Sequence, residues 1–130
     1  MSLVQLIYAS QPFGFDAVRL HDLLTISRAN NARDDITGAL ICRADLYLQL
    51  LEGPEDKIAA TFARIGLDDR HLSIKLLVSG PIETRMFPGW SMRDDPARTV
   101  MWTQAEVDAG AIDAAPPAEI LGVFERLAAS

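Results

Sequence analysis

Residues 36–54, ITGALICRADLYLQLLEGP, decide how this chain is read. They predict two strands joined by a short polar turn and running straight into a helix. The run LYLQLL is apolar except for one neutral amide, Gln49. Successive residues of a strand point to opposite faces. Leu46, Leu48 and Leu50 therefore share one face, and Tyr47, Gln49 and Leu51 the other. A buried amide that finds no hydrogen-bond partner costs on the order of 1–3 kcal/mol. Gln49 thus demands a partner, from the protein or from a ligand.

Upstream, residues 3–8 are rich in strand formers, with Val4, Leu6 and Tyr8 on one face. The turn residues of SQPFG, 10–14, end that strand. Asp16 is the expected N-cap of a helix over residues 17–30, with Leu20, Leu23, Leu24 and Ser27 at helical spacing. Asn30 and Asn31 stand where the helix is expected to end, since asparagine tolerates the left-handed conformation. Downstream, Gly53 and Pro54 open a second helix with Ile58, Phe62 and Ile65 as its apolar stripe. Gly66 or the pair Asp68 and Asp69 closes it. Residues 74–78 predict a fourth strand bounded by Gly80 and Pro81. A further extended piece is expected within residues 81–92, with the aromatic loop FPGW at 87–90. Residues 100–102 suggest a fifth strand, Thr103 caps a short helix over 105–108, and Pro117 opens a last one. The apolar positions of that last helix are Ile120, Leu121, Val123, Phe124 and Leu127.

The order is β-α-β-β-α-β, followed by an extra strand and helices. The expected fold class is α+β, a ferredoxin-like sheet with two helices on one face and C-terminal helices covering the other. Residues 1–95 form the core unit, and 96–130 an extension packed on it.

Composition removes several function classes. The chain has 130 residues, 49% of them hydrophobic, enough for one domain with a core. The net charge of −6 with scattered basic residues argues against a nucleic-acid surface. One cysteine, Cys42, and two histidines, His21 and His71, make a disulfide or a zinc site a poor fit. No run approaches the roughly 20 apolar residues of a membrane span, and MSLVQLIYAS is no secretory leader. A cytoplasmic protein is expected.

In a β-α-β-β-α-β sheet the first and third strands are central neighbours, so parity brings Tyr8 and Gln49 to one face. Under the two helices they would form the floor of a cleft. Asn30 and Asn31 would rim it, with Arg64 and Asp68 four residues apart on or near the second helix. Amides donate and accept, and so read adjacent N–H and C=O groups of a flat heterocycle.

These residues carry a resemblance. Tyr8 in LIYAS, SRANNARDDITGALI, the YLQLLEGP stretch and FPGWSM, in that order over residues 3–94, resemble a BLUF domain of the short, single-domain type. The resemblance implies a blue-light sensor that binds flavin. It assigns flavin contact to Tyr8, Gln49, Asn30, Asn31, Arg64 and Asp68. Of the two asparagines, Asn31 is the main amide contact to the ring edge. His71 is a looser match near the ring. It gives Trp90 and Met92 the part of mobile signal relays. FAD is the implied cofactor, with FMN and riboflavin open because these residues read the ring. It also implies that light moves an electron and a proton from Tyr8 through Gln49, leaving the amide rearranged.

Each residue also has a plain reading. Tyr8 can be a core-edge tyrosine, Asn30 and Asn31 a helix terminus, Arg64 and Asp68 a solvated ion pair, and Trp90 and Met92 packing. The chain ends at Ser130, so an unknown effector protein or homo-oligomerisation is the expected output, and no catalytic constellation is apparent. The alternative is a ferredoxin-like ligand-binding or assembly module without photoactivity. An acylphosphatase-like hydrolase is disfavoured because residues 10–14 hold no phosphate-binding arginine.

Overall fold

The apolar run that opens the reading lies near the middle of the sheet, and every residue of it is buried. The structure is a computed structural model and describes residues 3–12, 17–43, 46–67, 71–90, 92–95 and 103–129. In chain order the elements are β1 (Leu3–Pro12), α1 (Ala17–Asp34), β2 (Thr37–Arg43), β3 (Leu46–Pro54) and α2 (Glu55–Gly66). They continue with β4 (His71–Ile82), β5 (Arg93–Asp95), α3 (Gln104–Asp108), α4 (Ala111–Ala114) and α5 (Pro117–Ala129). The strand order is β4-β1-β3-β2-β5. The first four strands are antiparallel neighbours, and β5 joins β2 in parallel. This is the expected α+β, ferredoxin-like arrangement with one added edge strand.

Period two sorts the side chains into two cores. Leu6, Tyr8, Leu40, Tyr47 and Leu51 pack with Leu24 of α1 and Ile58 of α2. Ile7, Ala9, Ala39, Ile41, Leu46, Leu48 and Leu50 pack on the opposite face with Ile120, Val123, Phe124 and Leu127 of α5. The α5 residues recur at helical spacing, which gives that helix one apolar stripe to lay on the sheet. Ile120, Val123, Phe124 and Leu127 are therefore turned inward onto the sheet, and Leu121 is partly buried beside them. Gly38 of β2 is required where it stands, because a Cβ there would lie 2.0 Å from the Leu50 carbonyl oxygen.

Several boundaries differ from expectation. β1 runs on through Ser10 to Pro12, because β3 pairs with Ser10 and β4 with Gln11 and Pro12. α1 continues past Asn30 and Asn31 to Asp34. The left-handed cap is Asp35, with φ 59°, and the Ile36 N–H donates to the Asn31 carbonyl at 2.9 Å. That six-to-one bond is a Schellman closure, for which a short polar side chain suffices. β4 passes through Gly80 and Pro81 rather than stopping at them, and proline is tolerated there because β4 is an edge strand. Of the described residues within 81–92, only the first two are strand. The fifth strand is Arg93–Asp95; residues 100–102 and Asp16 lie outside the described residues. Thr103 caps α3 as expected, in a capping box with Glu106 (3.1 and 2.9 Å).

Phe124 is fully buried and meets Phe87 edge-on at 6.4 Å between centroids. Phe124→Ala is expected to lower unfolding stability by about 3–5 kcal/mol. Leu67→Ala, at a position 89% exposed, is expected to change it by less than about 0.5 kcal/mol. Urea unfolding of both variants checks this; equal costs would show that α5 does not close the core.

Candidate functional site

β1 and β3 put Tyr8 directly opposite Gln49 in register. Both residues point to the face covered by α1 and α2. Tyr8 is 0% exposed and Gln49 5%. The Tyr8 hydroxyl donates to Gln49 Oε1, and Gln49 Nε2 donates to Met92 Sδ at 3.4 Å. The amide demanded by the sequence is thus satisfied at both ends, by groups from two other segments. Phe62 of α2 lies over Tyr8, with ring centroids 5.6 Å apart and planes tilted by 48°.

The other expected residues fall as follows. Asn31 is 2% exposed on the last stretch of α1, and Asn30 beside it is half-buried. The helix continues beyond both, so neither serves as its cap. Met92 is buried against Gln49, whereas Trp90 is 49% exposed. His71 begins β4, opposite Pro12. Asp68 lies outside the described residues. Arg64 donates to Thr61 Oγ1 at 3.0 Å and reaches Asp34 Oδ2 at 3.4 Å.

Asp34 and Arg28 were missed from the sequence. Asp34 is buried at the C-terminus of α1, where the helix dipole disfavours a carboxylate. Arg33 offsets this with two hydrogen bonds of 3.0 and 3.1 Å. The hydrogen bond from Arg33 is the main reason the Asp34 carboxyl sits below the usual carboxylate range. Burial opposes the shift, while the charge of Arg33 and the hydrogen bond from Arg64 add to it. Asp34 thereby ties α1 to α2. Arg28 Nε donates to the Met92 carbonyl at 3.2 Å, tying α1 to the segment that carries Met92. The sequence signal for Asp34 is weak, because its partner on α2 is 30 residues away. Arg28 lies on the exposed side of α1, so helical spacing gives no sign of its bond to Met92.

The donor set suits the edge of a flat heterocycle. Gln49 and Asn31 are buried amides that both donate and accept, and Tyr8 adds a hydroxyl. Leu24, Ile58 and, partly buried, Phe62 and Ile65 offer apolar surface around them.

Asp34 also makes a pH prediction. A carboxyl held below its unfolded value contributes stability above the ordinary carboxylate range, and loses it as pH falls through its lowered value. Asp34→Asn should therefore be less stable than the parent at neutral pH, and the gap should close on acidification. Urea midpoints measured from pH 7 downward check this; a gap constant with pH would contradict it.

Residues 3–93 match the model of a family described as BLUF, sensors of blue-light using FAD. Photoactivated adenylate cyclase subunit beta of Euglena gracilis is 30% identical over 93 residues, which are 70% of this chain and 11% of that protein. The blue light- and temperature-regulated antirepressor BluF of Escherichia coli is 31% identical over 86 residues, 65% of this chain and 21% of that protein. The chain thus spans a small part of the length of these relatives. Among solved structures, BlrB, a BLUF protein in its dark state, superposes with a TM-score of 0.80 at 30% identity. That match covers 98% of this chain and 96% of the other. BlsA in its photo-activated state gives 0.80 at 26% identity, with the same coverage.

Proposed function

The chain belongs to the BLUF family of blue-light sensors, and we propose that its light-sensitive element is the hydrogen-bonded pair Tyr8 and Gln49. The observation that carries this reading is the buried chain from the Tyr8 hydroxyl through the Gln49 amide to Met92.

BLUF domains bind flavin, and the residues at this site fit it. Gln49 and Asn31 would meet the ring edge, with Tyr8 behind Gln49. Asn30, Arg64, Asp68 and His71 complete the proposed set. FAD is the flavin proposed, in line with the family description; FMN and riboflavin present the same ring to the same groups. Bound flavin supplies the blue absorption and an excited state that takes up an electron.

The rest is work for the chain. Tyr8 gives up an electron, and its phenol then becomes acidic enough to release its proton. Gln49 Oε1 accepts from that phenol, so the amide is placed to receive the proton and to pass one on from Nε2. When charge returns to Tyr8, the lasting change is in Gln49, rotated or tautomerised. A rotated Gln49 turns its carbonyl oxygen toward Met92. A thioether donates no hydrogen bond, so the contact to Met92 is lost. The segment bearing Met92 and Trp90 is thereby informed of the state of the amide, which acts as a two-state element biased by light. Output passes by protein contact to an effector surface.

Tyr8→Phe is expected to keep flavin bound and to abolish the reversible red shift of its absorption, because no phenol remains to donate. Gln49→Leu should also lose the shift, because no amide remains to rearrange. Difference spectra before and after blue light check both. A normal shift in either variant would overturn the mechanism.

A further inference from the structure

We propose that Arg85 is the positioning residue that sets Asn31 against the flavin ring, by holding Asp35 in the left-handed turn that closes α1. This rests on the reading of Asn31 as a contact to the ring edge.

Asn31 lies one turn before the end of α1, and its own backbone takes part in closing that end. The Ile36 N–H donates to the Asn31 carbonyl at 2.9 Å, a bond that needs Asp35 at φ 59°. A residue with a Cβ adopts that conformation less readily than glycine does. If Asp35 leaves it, the bond opens and the last turn of the helix frays. Asn31 is 2% exposed, and the direction of its side chain follows from the backbone of that turn.

Arg85 holds the turn from 50 residues away. It donates to the Asp35 carbonyl at 2.9 Å and pairs with the Asp35 carboxylate at 3.1 Å. The carboxylate is 69% exposed, so the bond to the carbonyl matters more than the ion pair. A cation at the C-terminus of a helix also complements its dipole. The other arm of the guanidinium donates to Thr37 Oγ1 at 2.9 Å and to the Glu52 carbonyl at 3.2 Å. One planar fork thus joins the end of α1 to β2 and β3, which a lysine ammonium cannot reproduce.

The backbone that presents Arg85 is itself fixed. Glu52 is 0% exposed. Its Oε1 accepts from the Met86 N–H at 2.7 Å. Its Oε2 accepts from the Phe87 N–H and the Thr37 hydroxyl, each at 2.8 Å. Hydrogen bonds to an ionised acceptor are roughly twice as strong as neutral ones. Glu52 stands three residues past Gln49 on β3, and Asp35 four past Asn31. The two amides that flank the ring therefore sit on elements tied together by one side chain. The proposed light-sensing chemistry makes no use of Arg85.

Flavin binds well only to molecules in which Asn31 is in place, so the apparent affinity falls in proportion to the fraction that keeps the turn closed. The test is titration with FAD of Arg85→Ala, alone and in backgrounds carrying Asp35→Gly or Asn31→Ala. Alone it should raise the Kd for FAD by about tenfold or more, the contribution of one hydrogen bond to a charged group. Asp35→Gly should recover most of that loss, because glycine takes the left-handed conformation without help. In the Asn31→Ala background Arg85→Ala should add little, because the two residues act in series. The infrared carbonyl bands of the bound flavin give a readout that a loss of stability alone would not move. Arg85→Ala should shift them toward their position in Asn31→Ala. Arg85→Lys keeps the charge without the fork and should raise the Kd by less; it serves if Arg85→Ala fails to fold. An unchanged Kd, a loss that Asp35→Gly does not recover, or equal losses with and without Asn31 would overturn the proposal. If the parent refuses FAD, the reading of the ring site fails instead, and hydrogen exchange of the Ile36 N–H decides for or against Arg85. Exchange that is faster in Arg85→Ala and slowed again by Asp35→Gly supports the clamp, and exchange unchanged from the parent overturns it.

Discussion

A neutral amide buried in a strand must be hydrogen-bonded, and the rest of this structure is arranged around that requirement at Gln49. The register of β1 against β3 supplies Tyr8 to its oxygen. The segment after β4 supplies Met92 to its nitrogen. Neither partner competes strongly for the amide. Tyr8 can accept as well as donate, and a thioether is a weak acceptor. The amide is therefore satisfied without being locked, which is what the proposed rearrangement requires.

The sheet separates two cores with different duties. The core under α1 and α2 holds the polar set, and its helices are joined through Asp34, Arg33 and Arg64. The core under α5 is apolar apart from Glu52 and closes with Phe124. Phe87 lies against Phe124 on one side and Met92 against Gln49 on the other, five residues later in the chain. A change at Gln49 therefore has a short covalent route to the far side of the sheet.

Much of this was legible in the sequence because period two is a strong constraint. A one-residue slip would flip every side chain, so the parities of residues 46–51 fixed both faces. The β-α-β-β-α-β order then made β1 and β3 neighbours. What was missed depends on contacts distant in sequence. Arg64 was given Asp68 as its local partner, while Asp34 approaches it from α1. α1 outlasts the asparagines because Asp35 accepts the left-handed conformation. Glu52 could have been found, since it continues the parity of Leu46, Leu48 and Leu50. A carboxylate on that face must be buried and paired. Its partners, backbone N–H groups at residues 86 and 87, carry no side-chain signature.

The most direct measurement is the visible absorption spectrum of the flavin-loaded protein, recorded in the dark, after blue light and again during dark recovery. The account predicts a structured flavin spectrum that shifts to the red with light and returns fully in the dark, the flavin never remaining reduced. A flavin spectrum that does not shift would contradict the central claim that Gln49 rearranges. A protein that refuses added flavin would contradict the site itself.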